Sequence, residues 1–114
     1  MSDVLPTKLV LKKPSFPVAE VEARLQSELI HVVEERAGLE GVSLPSTPAA
    51  IVTATFAIDS LDAVEILCKL DELVGFNLPD GVVRSGGYNS IDEAIKHMMP
   101  RIEKVWTKRK GGTA

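Results

Sequence analysis

The chain has 114 residues, of which 45% are apolar, 25% charged and 4% aromatic, with a formal net charge of −3. That is the composition of one small globular domain and not of a disordered chain. Scarce aromatics and an acidic balance argue against a base-stacking or phosphate-tracking protein, the lone Cys68 excludes an internal disulfide, and no apolar run approaches the ~20 residues of a membrane span.

The opening residues, Met1 to Pro6, show neither a basic leader nor a long apolar stretch. The expectation is a cytoplasmic, monomeric domain without a secretory signal. Charge is unevenly spread. Residues 1–17 sum to +2, residues 18–58 to −4, residues 59–93 to −6 and residues 94–114 to +5. An acidic body between two basic ends serves solubility, and it can also steer basic partners.

Residues 17–37 carry Val18, Val21, Leu25, Leu29, Val32 and Val33 at three- and four-residue steps. This spacing predicts an amphipathic helix. Pro17 suits its first turn, Ser15 is near enough to help cap it, and Gly38 and Gly41 end it. Residues 38–58 read as a long loop broken by Pro45 and Pro48, with Val42, Leu44, Ile51, Val52 and Phe56 packing it onto the bundle. A second helix is expected over residues 60–74, capped by Asp59 and stopped by Gly75. Turn signals follow at Pro79-Asp80-Gly81 and Gly86-Gly87, with a short helix expected near residues 80–84.

The last helix opens on the capping box Ser90-Ile91-Asp92-Glu93. Its stripe is Ile91, Ala94, Ile95, Met98, Met99, Ile102 and Val105. Pro100 predicts a kink there, or an end at Met99. The expected fold is all-α: a small up-and-down bundle of three long helices and one short one. The expected organisation is an N-terminal arm (1–17), a central domain (18–99) and a C-terminal extension with a basic tail (100–114).

The chemistry-bearing residues do not converge into an enzyme site. His31 and His97 are isolated, Cys68 reads as an apolar filler, and no metal-ligand spacing or glycine-rich phosphate loop is present. One stretch offers more. Ser60 follows a capping aspartate, so its hydroxyl stands where free backbone N–H groups and the helix dipole favour an anion. Leu61, Val64 and Cys68 then form a narrow apolar strip beside Asp62, Glu65, Asp71 and Glu72. Such a strip suits basic, groove-bearing partners.

Here the chain resembles the acyl carrier proteins. The resemblance lies in Asp59-Ser60-Leu61-Asp62-Ala63-Val64-Glu65, then Leu70-Asp71-Glu72-Leu73, Phe76-Asn77-Leu78-Pro79-Asp80 and Ser90-Ile91-Asp92-Glu93-Ala94-Ile95, and spans residues 18–99. It implies that Ser60 is the attachment point of a 4'-phosphopantetheine arm donated by coenzyme A through a phosphopantetheinyl transferase. The arm's thiol would carry acyl chains as thioesters for fatty-acid, lipid or secondary-metabolite synthesis, the bundle interior would shelter the chain, and the protein itself would catalyse nothing. Asp59 would cap the helix beside the attachment site. Leu61, Asp62, Val64, Glu65, Cys68, Asp71 and Glu72 would face acyl-chain-processing enzymes that bear basic docking patches.

Some residues depart from the family's pattern. Ala57 stands where a glycine is common, Ile58 is bulkier than usual, and Lys69 and Leu73 reduce the acidity of the second helix. Two other functional classes compete: an unmodified four-helix protein-interaction module, and nucleic-acid binding through the residues between Lys104 and Lys110. The acyl-carrier reading itself expects no nucleic-acid, membrane or metal partner.

Overall fold

The structure is a computed structural model that describes residues 16–111. The N-terminal arm through residue 15, and with it the proposed capping role of Ser15, lies outside the described residues. Helix α1 spans Val18–Glu40 and buries Val21, Leu25, Leu29, Val33 and Ala37 along one face. Leu25 and Leu29 are wholly buried, and each such side chain contributes roughly 2 kcal/mol to the core. The helix passes through Gly38 and ends at Gly41, whose left-handed φ of 72° lets its N–H bond back to the Ala37 carbonyl. Its end therefore lies beyond the predicted residue 37, because the packed Ala37 turn holds Gly38 in register.

The connection after α1 is not wholly irregular. Helix α2 forms over Pro48–Thr53, against the expectation that the prolines would break any element. Pro48 occupies the first helical turn, where no N–H is needed, and Thr47 Oγ1 accepts from the Ala50 N–H at 3.3 Å. Ile51 then anchors the short helix in the core. Helix α3 spans Ser60–Val74, as expected. The predicted short helix near residue 80 is a single 3-10 turn, Asp80–Val82.

Helix α4 runs from Ile91 to Trp106 and carries Pro100 inside it without a break. Pro100 is exposed, while Met98 and Ile102 are fully buried and Trp106 is nearly so. An internal proline costs about 3 kcal/mol. Two fully buried apolar side chains and a tryptophan flanking it offset that amount. A final wide turn covers Thr107–Gly111.

The result is an all-α bundle in which α1 packs against both α3 and α4, and α2 packs on α1 and α4. One core unites Val21, Leu29, Ile66, Leu70, Met98 and Ile102. Residues 18–99 and the start of the extension thus share a single interior. Among the described residues, no helix is long and apolar enough to cross a membrane.

Candidate functional site at the start of the third helix

Asp59 is extended, at φ −70° and ψ 148°, and its Oδ1 accepts from the Leu61 N–H at 2.6 Å. Asp59 thus caps α3, as expected from sequence. Ser60 is the first helical residue and is half-buried. Its hydroxyl makes no hydrogen bond to another described residue. Ser60 borders an open cleft of about 410 Å³ together with Arg36, Asp59, Gly86, Tyr88 and Asn89.

The loop that delivers Ser60 is tied to the loop that delivers α4. Ile58 and Tyr88 form an isolated antiparallel bridge. Ile58 N–H donates to the Tyr88 carbonyl at 2.7 Å, and Tyr88 N–H donates to the Ile58 carbonyl at 2.8 Å. Phe56 N–H adds a bond to the Asn89 carbonyl at 2.8 Å. Bulky Ile58 is buried at this pairing, and among the described residues only glycines take a positive φ. The missing glycine at Ala57 therefore does not bend the entry. The glycine requirement has moved across the cleft. Gly87 has φ +82°, and a Cβ on it would lie 2.0 Å from the Ile58 carbonyl oxygen.

The predicted partner-facing residues fall into two groups. Leu61 is 72% exposed, and Glu65, Cys68 and Glu72 are also exposed. Asp62, Val64 and Asp71 are half-buried. Asp62 is ion-paired with Arg36 of α1. Asp71 Oδ1 accepts the Leu78 N–H at 2.9 Å and so pins the loop after α3. Lys69 reaches Glu28 of α1 at 3.2 Å. Burial pushes the Glu28 carboxyl up, but bonds from Arg24 and Lys69 outweigh it and leave the pKa lowered. The free negative charge on α3 is thus concentrated at Glu65 and Glu72.

Sequence reasoning missed Arg36, Tyr88 and His97 as neighbours of this region. His31 is exposed and lies 3.3 Å from Glu35. His97 is different: its Nδ1 lies 2.8 Å from the Tyr88 hydroxyl. The Ser90 cap holds as read, with Oγ accepting the Glu93 N–H at 3.0 Å. Glu93 reaches back to the Asn89 N–H at 2.7 Å and pairs with Arg84 at 2.6 Å. These bonds, first Arg84's and then Asn89's, hold the Glu93 carboxyl below its usual range. The available signal was the Gly86-Gly87 pair followed by the chain's single tyrosine, just ahead of a capping box. Among the described residues no group of side chains could hold a metal ion. No family model, curated protein or solved structure matches the chain.

Proposed function

We propose that the protein is an acyl carrier whose Ser60 bears a 4'-phosphopantetheine arm. The supporting observation is half-buried Ser60 at the first position of α3, its hydroxyl without a hydrogen-bond partner among the described residues, on an open cleft that Arg36, ion-paired with Asp62, also lines. Unpaired N–H groups of a helix start and a nearby cation both favour a phosphodiester. The residues present therefore fit the group.

In the loading step the Ser60 oxygen forms a bond to the pantetheine-side phosphorus of coenzyme A. The pyrophosphate P–O bond breaks, the adenosine bisphosphate leaves, and the serine proton passes to the transferase's base. Once attached, the arm supplies a thiol for thioester chemistry. Asp59 holds the first turn of α3 so that the Ser60 oxygen stays at the cleft. Glu65, Glu72 and the exposed Leu61 give a basic transferase or acyl-processing enzyme a surface to approach.

Incubation with coenzyme A and a promiscuous phosphopantetheinyl transferase tests the reading by intact mass. The wild type should gain one phosphopantetheinyl group, and Ser60→Ala should gain none. An unmodified wild type would return the chain to the interaction-module class. Modification of both proteins would place the arm elsewhere.

A further inference from the structure

The Arg84–Tyr88 turn is closed on itself from both sides. Gly87 N–H donates to the Arg84 carbonyl at 3.1 Å. Arg84 N–H donates to the Tyr88 hydroxyl oxygen at 2.9 Å. The Tyr88 ring is 2% exposed, and the Arg84 guanidinium lies over it at 5.0 Å from the centroid. A phenol has one proton to give, and its oxygen already accepts from Arg84. The tautomer that gives this buried proton an acceptor is the one with a bare His97 Nδ1, which lies 2.8 Å from the phenol oxygen. The imidazole is then neutral, with its own proton on Nε2.

We propose that Tyr88 and His97 are positioning residues for the Ser60 loop: their side-chain bond fixes the Ile58–Tyr88 bridge, and protonation of His97 loosens it. The inference that this alters arm loading rests on the carrier reading; the structural coupling does not. Tyr88 is the mechanical link. Its side chain holds the turn, and its backbone exchanges two hydrogen bonds with Ile58, two residues ahead of Ser60. Gly87 lets the two backbones approach more closely than any side chain would allow.

Protonated His97 would present an N–H donor to the phenol oxygen in place of an acceptor, so the phenol proton loses its buried partner and must turn away. The charged groups facing it set the pH range. Arg84 comes from the loop, and Asp92, Glu93, Lys96 and Arg101 come from α4; with His97 they line a second cleft, distinct from the one at Ser60. Burial, then Arg101 and Arg84, lowers the His97 pKa from 6.5, and Glu93 opposes them. His97 is therefore neutral at pH 7. A free imidazole binds its proton earlier as pH falls, so the fold loses stability from about pH 6.5 down through the lower folded value.

The test uses the full chain. Backbone amide shifts of Ile58, Gly87 and Tyr88 should titrate with the His97 ring, at a midpoint below 6.5. His97→Asn keeps an acceptor near the Nδ1 position and removes the titration. Its amides should stay in the high-pH state throughout. Tyr88→Phe should speed hydrogen exchange at the Ile58 and Tyr88 amides roughly five- to tenfold, the value of one hydrogen bond, and leave Leu25 and Leu29 unchanged. Arm loading should fall by a similar factor in Tyr88→Phe. In the wild type it should decline relative to His97→Asn as pH drops, with the same transferase present in both. The proposal is overturned if the three amides ignore the His97 titration, or if Tyr88→Phe leaves Ile58 exchange unchanged. Absence of loading at every pH would refute the carrier reading, and the amide titration would still decide the coupling.

Discussion

The two ends of the bundle are built on different principles. At the end where α1 begins and α4 finishes, Phe16 meets Trp106 edge-on with ring centroids 5.7 Å apart, and Arg109 lies 4.6 Å from the Phe76 ring centroid. Ile102 is sealed inside and Trp106 is 7% exposed. At the other end, where α3 and α4 begin, Ile58 and Tyr88 are buried in the same core, and a backbone bridge, the Phe56–Asn89 bond and a phenol–imidazole contact add directional ties between two loops beside an open cleft. Apolar burial is non-directional and tolerates small shifts, whereas a bridge between loops depends on a few directional bonds. Regions held in the second way open locally with less free energy than a packed core. The candidate attachment site thus sits where directional bonds between two loops supplement the core, and the C-terminal extension packs at the other end.

The contrast can be broken from either side. Trp106→Ala should have the largest effect on stability, about 3–5 kcal/mol for a buried aromatic, measured by urea unfolding. Exchange at Ile58 should keep its wild-type local rate there until global unfolding overtakes it. An early local opening at Ile58 would mean that the two ends are coupled through α4.

Gly87→Ala attacks the open end. The added Cβ meets the Ile58 carbonyl oxygen, and the positive φ is strained for any side chain. A loss of about 2–3 kcal/mol is expected, with the Ile58–Tyr88 bridge broken first. A fully protected Ile58 amide in this variant would show that the turn can retreat without disturbing the Ser60 loop.

The smallest effect on the fold should come from Glu65→Lys with Glu72→Lys. Both side chains are exposed, so stability should change by no more than about 0.5 kcal/mol. Loading of the arm should nevertheless slow, more at low salt than at high salt. Equal loading rates at low salt would remove the steering role assigned to α3. The same reversal at Asp62 would not isolate steering, because it also breaks the pair with Arg36.

Much of the bundle was legible because its period is local. The stripe from Val21 to Val33 and the stripe from Ile91 to Ile102 each require a helix whatever lies opposite. Asp59 and Ser90 announced the two helix starts in the same way, since a cap is made within three residues. The short helix at Pro48–Thr53 was misread because a proline in the first turn and a proline in the interior look alike without knowing where the helix begins. The alternative of a helix end at Met99 failed for a related reason. Local propensity opposes passage through Pro100, and only the burial of Met98, Ile102 and Trp106 on the assembled core outweighs that penalty.

Composition, periodicity and capping residues alone determined an all-α chain with its long helices in the right order and Ser60 at the head of α3. Tertiary structure alone decided that Arg36 reaches Asp62, that Asp71 holds Leu78, and that Tyr88 is clasped by His97 while its backbone grips Ile58. Helical pattern repeats every few residues along the chain and needs no partner to be read. Contacts between residues 26 or 30 positions apart depend on how three helices cross, which no local spacing encodes.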